Sequence, residues 1–367
     1  MAGAFEKTSI KGLELENRFV RSATWEGLAD EEGRAGDELP KMLAALARGG
    51  VGLVITGFAY VSRAGKALPH QTGAHRDDLI PGLARTAEAV HAAGGKTIVQ
   101  LVHGGLQTDE AVCGEVPAGP SAVRLSGVDP RVRELSAGEI QEIVEDFGRA
   151  AARVKSAGFD GVQLHLAHGY LLNQFLSPFF NKRGDRYGGG LPNRARISYE
   201  AYEAVRGAVG EDFPVLVKLN SEDCVEGGLT LEDSLKVAQN LAEMGLDAIE
   251  VSGGHRWSRR LGPARTKIAN SEDEAYFRPA ARVFKSKVRV PIMLVGGLRS
   301  PGVIDEILAA READYIAMSR PLIRQPDLVK TWAEGDRTPA ACISCNGCFE
   351  SARGGRGVSC TVLEKQD

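Results

Sequence analysis

Residues 136–166 read SAGEIQEIVEDFGRAAARVKSAGFDGVQLHL. Ser136 followed three residues later by Glu139 is a capping box, so a helix is predicted from Ser136 to Ala157. Gly161 to Leu166 is then an apolar run of strand length. A strand that is apolar throughout is buried on both faces, as in a parallel sheet wrapped by helices.

The same alternation extends in both directions. Upstream lie a strand at Phe19–Ala23, a helix at Asp37–Arg48, a strand at Val51–Thr56, a helix at Leu79–Ala93 and a strand at Thr97–Leu101. Downstream, helices near Asn193–Val209, Leu231–Met244, Asp273–Ser286 and Pro301–Ala310 each precede a strand, at Val215–Leu219, Ala248–Ser252, Ile292–Gly296 and Tyr315–Ser319. A short helix opens at Pro321. Eight strand–helix units predict an α/β fold, a (β/α)8 TIM barrel, over residues 1–335, with a short cysteine-rich extension over 336–367. A doubly wound open sheet competes poorly, because no Gly-x-Gly-x-x-Gly turn follows the first strand. The connection from His103 to Leu135 is too long for a plain turn and, with the Arg256–Ile268 loop, is expected to shape a pocket.

The 367 residues carry 45 Lys plus Arg against 48 Asp plus Glu, a net charge of -3, so no bulk field recruits nucleic acid or anionic membrane. No apolar run approaches the length of about 18 residues that a membrane span needs, and charges interrupt the N-terminus. A soluble, cytoplasmic protein is expected, acting on small molecules and assembling as a homo-oligomer.

In a TIM barrel the functional side chains stand at the carboxyl ends of the strands. Those ends supply Gln100, His165, Lys218, Gly296-Gly297 and Ser319-Arg320. The loops after strands seven and eight are the usual phosphate site: the glycine pair lets backbone approach a phosphate and Arg320 can clamp it. Lys218 and Gln100 offer the cation and the amide that a flavin ring uses. His165 and His168, with Tyr170 beside them, read as two imidazole donors converging on an oxygen where negative charge develops, with the phenol as proton donor. A metal pair is the competing reading, without the helical His-Glu-x-x-His context or an obvious third ligand, and a structural role is another.

The run His165-Leu-Ala-His168-Gly-Tyr170-Leu-Leu-Asn-Gln-Phe-Leu-Ser-Pro, followed by Asn181, Arg183, Asp185, Tyr187-Gly-Gly and Asn193-Arg194, resembles the Old Yellow Enzyme family of FMN-dependent oxidoreductases. Asn17-Arg18, Gln100, His103-Gly-Gly, Pro120-Ser121-Ala122, Ala157-Gly-Phe-Asp-Gly161, Gly296-Gly297 and Ser319-Arg320-Pro321-Leu322 extend the likeness to about residue 335. The resemblance implies FMN at the barrel mouth, reduced by NADH or NADPH and reoxidised by an activated alkene. It implies that His165 and His168 hold the substrate oxygen and that Tyr170 protonates carbon. Gln100 and Lys218 would contact the flavin ring, and Ala23, Thr24 and Ala59 would face it or its edge. Trp25 stands in the substrate pocket where the family usually has Thr or Cys; Lys218 replaces a commoner Arg and Ser319 a commoner Gly.

Cys342, Cys345, Cys348 and Cys360 resemble the cluster that binds a four-iron four-sulfur centre in 2,4-dienoyl-CoA reductases and trimethylamine dehydrogenase. Three thiols at triplet spacing suit a cubane, with zinc, or no metal at all, as the alternatives. The flavin and nucleotide domains of those relatives are expected to be absent, so that electrons reach a cluster singly from an external carrier. The sequence therefore predicts an FMN-dependent ene-reductase. The rivals are a flavin-dependent amine or saturated-ketone dehydrogenase, a flavin-free lyase using Lys218 as a Schiff base, and a non-enzymatic electron carrier built around the cysteines.

Overall fold

The computed structural model describes residues 2–365. Eight parallel strands form the central sheet: β1 (Phe19–Arg21), β2 (Leu53–Ile55), β3 (Thr97–Val102), β4 (Val162–Leu166), β5 (Val215–Asn220), β6 (Ala248–Ser252), β7 (Ile292–Val295) and β8 (Tyr315–Met318). Each pairs with its sequence neighbour, and β8 returns to β1 with Ile316 opposite Phe19, which closes the barrel. Helices α1 (Glu38–Arg48), α2 (Ile80–Ala92), α3 (Ala137–Ser156), α4 (Leu191–Val209), α5 (Leu231–Glu243), α6 (Arg278–Lys287), α7 (Pro301–Ala309) and α8 (Arg320–Arg324) follow the strands in order. The predicted (β/α)8 TIM barrel is the fold.

Inward-facing residues alternate along each strand and change character with height. Val20, Ile98, Leu216, Ala248, Met293 and Tyr315 form the lower, apolar layer. An N-terminal hairpin, Thr8–Ile10 paired with Leu13–Leu15, plugs this end with Ile10 and Leu15. Two residues further along, the inward positions become Ser22, Gln100, Lys218 and Glu250, all buried. The barrel thus excludes water below and is polar where its mouth begins.

One device sets the strand stagger at the lower end. Asp160, Asp247 and Asp314 each lie just before a strand, and each carboxylate accepts the N–H of the first residue of the preceding strand: Thr97, Val215 and Ile292, all at 2.8 Å. Each aspartate's own N–H donates to the carbonyl of that same residue. A basic side chain completes every set: His91 on Asp160, Arg206 on Asp247 and Lys285 on Asp314.

Ser136 and Glu139 form the predicted capping box in full. One helix differs from expectation: α6 begins at Arg278 rather than Asp273. A 3-10 turn over Ser271–Asp273 comes first, and Ala275 has a positive φ of 51°. This extended stretch spends Glu274 on the backbone N–H groups of Arg299 and Ser300 and sends Tyr276 and Phe277 under the Gly296-Gly297 turn. Pro279, in the first turn, then starts the helix. The long 103–135 connection holds a four-residue helix, Glu110–Cys113, and a pair of two-residue strands.

Replacing Asp247 with alanine would leave Arg206, whose side chain is 9% exposed, as an unpaired buried charge and orphan the Val215 N–H. The expected loss is about 3–5 kcal/mol, read as a lower urea midpoint. Asp160→Ala, whose partners are more exposed, is expected to lose less.

Candidate active site

The barrel mouth opens into a cavity of about 510 Å³. Its floor comes from the strand ends the sequence singled out: Ala23, Thr24 and Trp25 after β1, Lys218 on β5, Gly296-Gly297 after β7, and Ser319-Arg320 after β8. Thr24 and Ser319 join across the closure seam through their hydroxyls at 2.5 Å.

Lys218 is held, not free. Its ammonium lies 3.0 Å from Glu250 and donates to Ser22 Oγ at 2.7 Å, and that hydroxyl donates to Glu250 Oε1 at 2.6 Å. Gln163 donates to Glu250 Oε2 at 3.0 Å, and Gln100 donates to Gln163 at 2.7 Å. Glu250 and Gln163 went unread in the sequence because each sits inside an apolar-looking run; their signal was the inward parity they share with Lys218 and His165. Gln100 therefore faces the barrel interior, outside the cavity wall. Ala59 is also off the wall, fully buried in a short strand beside β3, while its neighbour Phe58 lines the cavity.

His165, His168 and Tyr170 come together as predicted. The ring centroids of His165 lie 4.9 Å from those of both His168 and Tyr170, and Phe58 packs at 5.2 Å on Tyr170. His168 sits at the end of β4 with φ 63°, its N–H bonded to Asn220 and its Nε2 2.7 Å from Ser252 Oγ. His165 is buried behind it with Nδ1 unpartnered. Burial, reinforced by the Lys218 charge, holds both imidazoles well below the ordinary histidine value, so both are neutral at neutral pH. Burial pushes the Tyr170 phenol well above its usual range, and the charges of Arg256 and Arg353 act in the opposite direction. The site thus holds neutral N–H donors and a protonated phenol.

Several lining residues were not foreseen: Phe58, Ser252, His255, Tyr276 and the guanidinium groups of Arg256, Arg259, Arg299 and Arg353. Arg353 and Phe349 belong to a C-terminal helix, Gly347–Arg353, which packs Cys348 and Ala352 against Trp25 and Phe58. The 103–135 connection adds only Gln107 to the wall; the 256–268 loop supplies five residues.

All four cysteines line a second, small cavity and all are free thiols. Burial, and then Cys342 and Cys345, push the Cys348 thiol up to about 11 against the opposing charge of Arg320. Among the described residues no group of three or more ligating side chains is arranged to hold a metal ion. Arg320, Cys342 and Asn346 line both cavities.

A model of the NADH:flavin oxidoreductase / NADH oxidase family matches residues 4–338. The chain belongs to this family of FMN-dependent oxidoreductases, the Old Yellow Enzymes. It is 37% identical to an NADH oxidase of Thermoanaerobacter brockii over 98% of its own length and 55% of the relative's. It is 33% identical to a 4,4'-dithiodibutanoate disulfide reductase of Rhodococcus erythropolis, covering 98% of this chain and 95% of that one. Among solved structures, 2-naphthoyl-CoA reductase with bound 2-naphthoyl-CoA superposes with a TM-score of 0.92 at 29% identity, over 98% of this chain and 56% of that chain. The chain thus spans about half the length of the NADH oxidase and of the naphthoyl-CoA reductase.

The buried imidazoles make stability pH-dependent. His103, with Nδ1 accepting the Gly105 N–H and Nε2 unpartnered, is lowered by burial to about 4, and His75 likewise. The unfolded chain binds these protons near pH 6.5 and the folded one does not, so stability present above 6.5 is lost as pH falls toward 4. Urea midpoints measured across that window are expected to drop steadily, and His103→Asn to flatten the slope.

Proposed function

We propose that this protein is an FMN-dependent ene-reductase, accepting electrons that originate in NADH or NADPH and reducing an activated C=C bond conjugated to a carbonyl or related group. The observation that carries this reading is the cluster of His165, His168 and Tyr170, two neutral imidazoles and a protonated phenol, with His168 and Tyr170 on the wall of a cavity with a cationic floor and His165 buried behind them.

The residues fit a flavin mononucleotide. Gly296 and Gly297 have φ of 127° and 75°, and a Cβ at either would lie 2.9 Å from the Tyr276 ring, so only bare backbone fits there. Arg320 faces the same end, with its Nη1 turned to the Arg265 carbonyl and Asn346 Oδ1, ready to serve a phosphate. Lys218 stands across the mouth from it as a fixed cation, and the Trp25 indole N–H is buried without a partner. Bound FMN would supply hydride. His165 and His168 would orient the substrate by its oxygen and oppose the charge that gathers there. Tyr170 would place its proton on the carbon that does not receive hydride, and Arg256 and Arg353 would stabilise the phenolate it leaves.

For the cysteines we propose a four-iron four-sulfur cluster. Support comes from their convergence on one cavity and from donors aimed at sulfur: the Gly347 N–H at 3.5 Å from Cys345 and the Arg324 guanidinium at 4.0 Å from Cys360. The amine-dehydrogenase alternative is disfavoured by a cavity lined with arginines, which repel a protonated amine. The Schiff-base alternative is disfavoured by the ion pair that occupies Lys218.

Anaerobically purified protein is expected to show flavin absorption with a broad shoulder near 400 nm and about four iron per chain; absence of flavin bands after FMN addition would overturn the reading. Tyr170→Phe is expected to retain flavin and to slow reoxidation of the reduced enzyme by 2-cyclohexenone by about 10²–10⁴-fold.

A further inference from the structure

Five guanidinium groups line the catalytic cavity, and they divide into two sets. Arg299 and Arg320 stand beside the β7 and β8 loops, and both are tied to backbone: Arg299 to the Ile268 carbonyl at 3.0 Å and Arg320 to that of Arg265 at 2.7 Å. Those are the pair placed to meet a phosphate at the glycine turn. Arg256, Arg259 and Arg353 occupy the outer rim, and among the described residues none of the three has an ion pair or a side-chain hydrogen bond. The only carboxylate lining the cavity with them, among the described residues, is Glu350.

The rim is built, not incidental. The Arg256 guanidinium stacks 5.1 Å over the Trp257 ring, and Trp257 is in turn pinned by its indole N–H to the Ser126 carbonyl at 2.9 Å. Gly127 lies directly behind: a Cβ there would come within 2.5 Å of the Arg256 Nη2. The cation is therefore held in place with its donors unspent. Arg259 has φ 51° and ψ -118°, a conformation that L-residues rarely adopt and that is maintained where a local structure over-determines it, as at ligand clamps. Arg353 comes from the other side, on the helix whose Ala352 and Phe349 pack with Trp25, Phe58 and Tyr170. A chain with net charge -3 has concentrated unneutralised positive charge at one opening, the one leading to Tyr170.

We propose that Arg256, Arg259 and Arg353 form an anion-recognition rim, and that the substrate is an activated alkene bearing a carboxylate or phosphate group remote from its reacting double bond. The inference rests on the ene-reductase reading and adds the substrate's charge to it. Guanidinium groups pair bidentately with either anion. Anchoring at the rim would spend binding energy away from the reacting carbons and present the conjugated end to His165, His168 and Tyr170. The C-terminal segment that carries the cysteines thereby becomes part of the substrate site.

The test uses dithionite-reduced, FMN-loaded enzyme and follows flavin reoxidation anaerobically by three probes: 2-cyclohexenone, 5-oxocyclohex-3-ene-1-carboxylate and the phosphate ester of 4-(hydroxymethyl)cyclohex-2-enone. The expected result is a second-order rate constant at least 10-fold higher for one or both anionic probes than for the neutral one, falling as salt is raised. The better anion identifies the group. Arg256→Ala and Arg353→Ala are each expected to cut the anionic-to-neutral ratio by about 10-fold, with bound-flavin fluorescence titration as a separate readout of the cofactor site. Reduction of 2-cyclohexenone with no preference for either anion, or a ratio unmoved in both variants, would overturn the rim while leaving the ene-reductase reading intact. Failure of all three probes to reoxidise the flavin would overturn both.

Discussion

The upper half of the barrel depends on burying one ion pair. Lys218 and Glu250 are direct register partners on neighbouring strands, and neither is more than 4% exposed. Removing either partner would strand a charge in a low-dielectric interior, a penalty of several kcal/mol. The pair is tolerable because polar neighbours hydrogen-bond to it: Ser22 bridges both charges, Gln163 donates to the second carboxylate oxygen, and Gln100 completes the chain. Five strands, β1, β3, β4, β5 and β6, contribute one residue each. A one-residue slip of any of them would send its member to the outer face and leave the others unsatisfied. The layer that presents a cation to the cavity is also what fixes the register of the strands presenting His165 and Tyr170.

The fold was legible because its signals are local and repeated. Apolar runs of strand length, spaced by amphipathic helices with caps such as Ser136–Glu139, need no knowledge of distant contacts, and all eight strands fall within a residue or two of where the sequence places them. The grouping of His165, His168 and Tyr170 was legible for the same reason, since all three lie within six residues at one strand end. Glu250 and Gln163 were not, because a polar residue inside an apolar run has meaning only once its neighbour on the next strand is known. Position near a strand end does not say how high a side chain stands: Gln100 faces inward below the cavity wall, and Ala59 is buried beside Phe58, which lines it. The aspartates Asp160, Asp247 and Asp314 ahead of three strands also went unread, and the structure shows their purpose in the N–H groups they accept.

The arginine rim lay beyond sequence reasoning because its members come from separate parts of the chain. Arg256 and Arg259 follow β6, whereas Arg353 arrives from the extension some ninety-four residues past Arg259, on a helix that packs over the mouth by way of Ala352 and Phe349. Nothing local distinguishes these arginines from the exposed ones on helix surfaces. What separates them is convergence: three guanidiniums with no carboxylate partner line one cavity, whereas Arg149, Arg153 and Arg278 are each within 2.9 Å or less of an acid.

The cysteine extension is coupled to the barrel through Arg320. Its Nη1 donates at 2.7 Å to Asn346 Oδ1, and Asn346 lies between Cys345 and Cys348 in a left-handed conformation, φ 63°, with its own amide donating to the Ala264 carbonyl. Arg320, proposed above to serve a phosphate in one cavity, is therefore oriented by a residue embedded in the cysteine segment, and it lines the cysteine cavity as well. Its charge already acts there, opposing the burial that keeps the Cys348 thiol protonated. Deprotonating the thiols for metal would draw that guanidinium toward sulfur, while an anion at the glycine turn would draw it the other way. If the glycine turn held a phosphate and the cysteines a metal, one guanidinium would be shared between two anionic demands and the filling of the two sites would be linked energetically.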